Sequence, residues 1–207
     1  MPPTERGAPA PPLVLASASP ARAMLLRQAG VPFRVDAAGI DEAEAKRSLE
    51  SEGADAASLA ASLAELKALR VSRRQPGALV LGADQVLECN GMRFDKPPDL
   101  AHARAQLRAL AGRTHELISA AVVVRDGERL WQAVDRARLT MRPLGESFID
   151  DYLGRAGAAA LQSVGAYQLE GLGAQLFAKV EGDHFTILGL PLLPLLDFLR
   201  GHGVVPA

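Results

Sequence analysis

An α/β architecture with a mixed sheet is predicted by three features of the 207-residue chain. A short apolar run, Leu13 to Ala16, leads directly into a helix opened by Ser19-Pro20. Asn90-Gly91 and Asp126-Gly127 each sit between apolar runs, which is the signal of a tight hairpin. The apolar segment Leu188 to Leu199 closes the chain as a helix with a proline-broken start. A βα start joined to hairpins requires strands of both directions in one sheet.

Each element has a local cause. Residues 1–12 hold five prolines and read as a disordered leader, so the folded domain is expected over residues 13–207. Ser19 is the N-cap and Pro20 the first helical residue; Leu25, Leu26 and Ala29 form the apolar face, and Gly30 ends it. Val31 to Val35 reads as a second strand. Residues 36–55 are polar and acidic and read as a mobile loop that can include a short helix. Ser58 to Val71 has helical period. Ala78 to Gly82 is a buried strand ending at Ala83-Asp84, with Val86 and Leu87 continuing it. Asp99 caps a helix to about Leu110, stopped by Gly112. Thr114 to Val124 and Leu130 to Met141 are the long hairpin strands. Phe148 to Leu153 is a short helix, residues 154–175 are glycine-rich, and Gln175 to Val180 is a strand.

Composition excludes several classes. Lys plus Arg is 23 and Asp plus Glu is 24, so the net charge of −1 lacks the basic excess of a nucleic-acid binder. Aromatics at 4% supply few stacking platforms. The single cysteine, Cys89, permits neither an internal disulfide nor a cysteine zinc site. No apolar run reaches the roughly 18 residues of a membrane span, and the N-terminus lacks a signal-peptide core. The expectation is a soluble, cytoplasmic protein with no membrane or nucleic-acid partner. The phosphate loop G-x-x-x-x-G-K-[ST], the fingerprint G-x-G-x-x-G, H-E-x-x-H and G-x-S-x-G are absent from the chain.

Five segments carry chemistry. In Ser17-Ala18-Ser19-Pro20-Ala21-Arg22 two hydroxyls and an arginine meet at a helix N-terminus, where backbone N–H groups favour an anion; the commonplace reading is a plain cap beside a solvated arginine. In Gly82-Ala83-Asp84 a carboxylate at a strand's carboxyl end could hold Mg²⁺ or activate water, against a turn-capping aspartate. Lys96, in Asp95-Lys96-Pro97, could neutralise phosphate, against an exposed turn lysine. Lys67 lies on an apolar helix, where a lysine ordinarily snorkels. Tyr167 to Gly173 carries Glu170 and paired glycines that let backbone approach a ligand.

Taken in order, these segments resemble the Maf family. The matching stretches are Leu13 to Pro20 with Arg22, Leu63 to Ala68, Leu81 to Asp84, Asp95-Lys96-Pro97 and Leu110 to His115. They continue through Gly165-Ala166-Tyr167, Glu170 to Gly173, Val180-Glu181-Gly182 and Leu188 to Pro191. The resemblance covers about residues 13–200. It implies an elongated Maf/ITPase-like mixed sheet with flanking helices and two lobes around a nucleotide cleft, in proteins that often form dimers. It also implies hydrolysis of a nucleoside triphosphate to the monophosphate and pyrophosphate with a divalent cation, Mg²⁺ or Mn²⁺.

On that resemblance Ser17, Ser19, Arg22, Lys67, Lys96 and Glu170 bind substrate. Asp84 is the proton acceptor or a metal ligand, and Glu42 shares the metal. The serines read as phosphate donors because no paired base activates them as nucleophiles. Ala21 stands where the family often has a first arginine. Gln85 and Glu170 look like the 7-methyl-GTP branch, whereas Gly165-Ala166-Tyr167 looks like the dTTP/UTP branch. The rival reading is a nucleotide-binding regulator of cell division or septum formation with little turnover.

Overall fold

The computed structural model describes residues 10–207, so residues 1–9 of the expected leader lie outside them. The expected mixed sheet is present. β1 (Leu13–Leu15) leads to α1 (Pro20–Gln28), capped by the Ser19 hydroxyl on the Arg22 amide. β2 is only Arg34–Val35, shorter than expected, because Pro32 lacks a donor for further pairing. Within the expected loop over residues 36–55 stands the ten-residue helix α2 (Glu42–Ser51), which takes up half of it. Asp41 caps α2 through the Glu44 amide, and Glu42 and Glu44 lie in its first turn, where the helix dipole favours acids. α2 is also tied down from outside: Lys46 ion-pairs with Asp95, Arg93 meets Glu50 at 3.2 Å, and Arg93 donates to the Ala54 carbonyl at 2.6 Å.

α3 (Ala56–Ser72) is capped by Asp55 and runs into the long strand β3 (Leu79–Cys89). β4 (Met92–Phe94) returns antiparallel, and α4 (Leu100–Leu110) follows the Asp99 cap. β5 (Thr114–Arg125) and β6 (Glu128–Met141) form the long hairpin. Both hairpins turn with positive φ at two successive residues, 52° and 76° at Asn90-Gly91 and 50° and 85° at Asp126-Gly127. That is the type I′ geometry that suits strand twist. α5 (Glu146–Ala156) is longer than expected at both ends. The glycine-rich stretch folds into three short 3₁₀ turns before β7 (Phe177–Glu181). The expected closing helix begins only at Leu192, after Gly189 and Pro191, as α7 (Leu192–Gly201), and an unexpected short helix, α6 (His184–Ile187), precedes it.

The sheet runs β2-β1-β3-β5-β6-β7, with β4 beside the far end of β3. β1 pairs in parallel with Leu79–Leu81, whereas β4 pairs antiparallel with Leu87–Cys89. β5 pairs with β3 continuously from Val80 to Glu88. Residues 82–86 of β3 therefore have β5 on one side and neither β1 nor β4 on the other. This gap in the sheet places the site.

Alternation along β3 divides the core. Val80 and Val86 pack with Leu59, Leu63, Ala64 and Ala68 of α3. Leu79, Leu81 and Ala83 face α1 and α7. Leu87, on that second face, belongs with α4, α5 and the 3₁₀ turns. The long strands thus join three packed regions: one under α3, one on the opposite face under α1 and α7, and one around α4 and α5.

In the region around α4 and α5 His115 is 1% exposed, with Nε2 2.7 Å from the Tyr167 hydroxyl and Nδ1 without a partner among the described residues. Burial lowers its pKa from 6.5 to about 4. The unfolded chain takes up a proton near pH 6.5 that the folded chain refuses until about pH 4. Stability therefore falls across that window as the solution is acidified, by about 3 kcal/mol from this group. Urea denaturation at pH 7.5 and pH 4.5 should show this loss in wild type and a smaller one in His115→Gln; an equal loss in both assigns it elsewhere.

Candidate active site

Two loops reach the sheet gap from opposite ends. β1 stops opposite Leu81, and the chain continues through Ser17 and Ser19 into α1. β4 runs the other way, stops opposite Leu87, and continues through Asp95 and Lys96. Asp84 stands at the middle of the gap on β3. It lies mid-strand rather than at the strand end expected, because β5 carries β3 past the point where β1 stops. The parallel part of the sheet still ends just before it.

α3 supplies the partner. Its backbone lies against β3 so closely that a Cβ on Gly82 would stand 2.0 Å from the Ala64 carbonyl oxygen and 2.9 Å from the Ala68 nitrogen. Ala60, Ala64 and Ala68, four residues apart, make the small stripe that permits this approach. The result is that Lys67, 5% exposed, is not snorkelling at an edge. Its Nζ lies 2.6 Å from Asp84 Oδ1 and 3.1 Å from Glu42 Oε1. Asp84 is buried, whereas the Glu42 side chain is 60% exposed at the start of α2.

Arg22 is held from two sides. Its Nε donates to the Gly189 carbonyl at 2.8 Å and its Nη1 to Ser17 Oγ at 3.1 Å. Burial pushes the guanidinium pKa down, while Asp84 and Glu42 push it back up. Ser17 Oγ also accepts from the Ser19 amide at 3.2 Å, so its acceptor capacity is used and its proton is left to donate. Ser19 Oγ accepts one bond, from the Arg22 amide at 3.4 Å, and keeps its proton to donate. Lys96 is exposed; partial desolvation and then the cations Arg22 and Lys67 lower its pKa, against Glu42 and Asp84.

Ser17, Ser19, Arg22, Glu42, Lys67, Asp84 and Lys96 are thus brought to one place, three cations and two carboxylates among them. Glu170 is not joined to it: among the described residues no hydrogen bond or ion pair links Glu170 to this cluster. It sits exposed on the turn before the 3₁₀ segment Leu172–Leu176. Gly173 serves the turn itself, since a Cβ there would stand 2.4 Å from the Gln168 carbonyl oxygen. The structure also adds Gly189 to the site, as the anchor of Arg22, at a φ of +97° that favours glycine.

The donor set fits a hard cation. Asp84 and Glu42 present carboxylate oxygens to one ammonium, so both already share a cation. Among the described residues no group of three or more His, Cys, Asp or Glu gathers around a metal position. Asp84 and Glu42 would hold such a cation; Mg²⁺ is ordinarily bound through one or two carboxylates together with substrate phosphates and water.

The family model described as Maf-like protein matches residues 12–202. The chain belongs to that family. A relative from Paramagnetospirillum magneticum named Nucleoside triphosphate pyrophosphatase is 60% identical over 190 residues, covering 92% of this chain and 98% of the relative. One of the same name from Rhodospirillum rubrum is 54% identical and covers 94% of this chain and 96% of its own. A relative from Rhizobium etli named 7-methyl-GTP pyrophosphatase is 54% identical, covering 94% of this chain and 98% of its own. A solved nucleoside-triphosphatase (dITP/XTP pyrophosphatase) from Mycobacterium abscessus aligns at a TM-score of 0.36 and 17% identity, covering 94% of this chain and 97% of that one. A likeness that distant carries no weight for the chemistry.

In this Maf-like protein Gln85 follows Asp84 and points to the other face of the sheet. Its Nε2 shares two protons among three acceptors: Ser119 Oγ at 3.0 Å and the carbonyls of Thr186 and Ile187 at 3.1 and 3.0 Å. Among the described residues no helix is long and apolar enough to cross a membrane.

Proposed function

We infer that the chain is a nucleoside triphosphate pyrophosphatase, hydrolysing its substrate to the nucleoside monophosphate and pyrophosphate. The observation that carries the residue roles is the buried Lys67 ammonium between Asp84 and Glu42, beside Arg22. The relatives' names support the reaction.

Ser17 and Ser19 donate their hydroxyl protons to phosphate oxygens. Arg22, with Nε and Nη1 engaged by protein, has a fixed plane, and with Lys67 and Lys96 it offsets charge on the leaving pyrophosphate. Glu42 and Asp84 would hold Mg²⁺ or Mn²⁺, whose chemistry is to polarise phosphoryl oxygens and lower the pKa of bound water. Asp84 takes the proton from the attacking water. Positioning and charge neutralisation are most of what phosphoryl-type transfer asks of a protein, and no covalent nucleophile is needed. The reading carries with it a cytoplasmic location, no nucleic-acid partner and a homodimer, the last tested by light scattering.

Pyrophosphate release from GTP, 7-methyl-GTP, dTTP and UTP, with Mg²⁺, Mn²⁺ or EDTA, is the direct test. Metal-dependent release from one or a few nucleotides is expected; triphosphate binding without release would make the protein a nucleotide-binding regulator instead. Glu170 is the proposed contact to the base, and a carboxylate there suits the cationic ring of 7-methyl-GTP. Glu170→Gln is expected to lower turnover of 7-methyl-GTP relative to GTP by about tenfold, the worth of one charge-assisted hydrogen bond. An unchanged ranking removes Glu170 from specificity.

A further inference from the structure

Three neighbouring strands carry a row of polar side chains on the face opposite Asp84. In the sheet register Gln85 of β3 stands beside Ser119 of β5, and Ser119 beside Asp135 of β6. All three converge on Thr186, which is fully buried in α6. The Thr186 hydroxyl donates to Asp135 Oδ2 at 2.7 Å, and its amide donates to Asp183 Oδ1 at 3.0 Å. The Thr186 carbonyl accepts from Ser119 Oγ at 2.8 Å, from Gln85 and from the Gly189 amide at 3.0 Å. One helical turn on, the Gly189 carbonyl accepts Arg22 Nε. A Cβ at Gly189 would stand 3.5 Å from Arg22 Nε and Nη2, so the segment lies directly against the guanidinium.

Ser119 and Thr186 are buried, whereas Gln85 and Asp183 are half-buried and Asp135 lies at the exposed end of the row; removing a buried member leaves its partner unpaired and loosens the arrangement. We propose that Thr186, held by Asp135 and Ser119, is a positioning residue that sets Arg22 through the Gly189 carbonyl. The row begins one residue from Asp84, so the same three strands place the acid on one face and the arginine's anchor on the other. A misplacement of about 1 Å in such a group can cost up to 10²-fold in rate. The role of Arg22 in turnover rests on the hydrolase reading; its placement does not.

The test compares wild type, Thr186→Val, Thr186→Ser and Ser119→Ala, each also in an Arg22→Lys background. Two readouts are taken: kcat and KM for pyrophosphate release, and solvent exchange of the Arg22 Nε–H resonance by ¹⁵N-edited NMR. Thr186→Val should speed that exchange and lower kcat/KM about tenfold, and Thr186→Ser should restore both. Ser119→Ala should act in the same direction, which keeps the proposal testable if Thr186→Val fails to fold. In the Arg22→Lys background the same changes should cost less than about twofold, because the group they place is gone. Unchanged Nε–H exchange overturns the proposal, as does an equal loss of kcat/KM in both backgrounds. Faster exchange in a chain whose wild type releases no pyrophosphate supports the positioning role and defeats the hydrolase reading.

Discussion

Asp84→Asn is expected to lower turnover by about 10²–10⁴-fold, the range a general base contributes, while triphosphate still binds. The substitution keeps the size of the side chain and an oxygen for Lys67, whose Nζ is 2.6 Å from Oδ1. It removes the charge that accepts the water's proton and half of the carboxylate pair that would hold the cation. Affinity for the polyphosphate should survive, because Arg22, Lys67, Lys96 and the two serine hydroxyls remain. Steady-state pyrophosphate release and calorimetric titration with a triphosphate read the two effects separately. Turnover within tenfold of wild type would show that Asp84 is not the base. Loss of binding by a folded variant would make it a ligand contact instead.

Gly82→Ala is expected to damage both stability and activity. The new methyl would lie 2.0 Å from a backbone carbonyl oxygen of α3, and backbone cannot step aside as a side-chain tip can. The helix and strand must separate. Overpacking of this kind costs about 3 kcal/mol or more, which for a chain of this size lowers Tm by about 10 °C. Because α3 carries Lys67 and β3 carries Asp84, the same separation lengthens their contact and turnover should fall as well. Thermal melts and pyrophosphate release check the pair. A variant with wild-type Tm would show that the helix is not held against the strand as described. Normal turnover despite a lower Tm would detach the Lys67–Asp84 distance from catalysis.

Much of this was legible in the chain because the causes are local. The Ser19-Pro20 start, the Asp99 cap and the two positive-φ hairpin turns are each encoded by adjacent residues. The loop reading of residues 36–55 has the same origin. α2 buries no residue, so it lacks the apolar period that marks a helix. Its capping aspartate and acidic first turn were present, and contacts to Asp95 and Arg93, far along the chain, complete it. Lys67 was legible as a position but not as a buried ion, since only the close seating of α3 on Gly82 removes it from water. Glu170 was legible as a motif residue, yet its turn is built for itself, and proximity to the phosphate-side cluster did not follow.

The residue types of a polyphosphate site, and the caps and turns that begin and end most elements, could be read from the chain alone. They depend on chemistry within a few residues. The site itself exists because β1 ends opposite Leu81 and β4 ends opposite Leu87, leaving Asp84 in a gap that two distant loops enter. Where strands stop relative to one another is set by pairing and packing over the whole sheet, and no local pattern records it. The row from Gln85 to Asp135, and the Gly189 carbonyl that holds Arg22, arise in the same way.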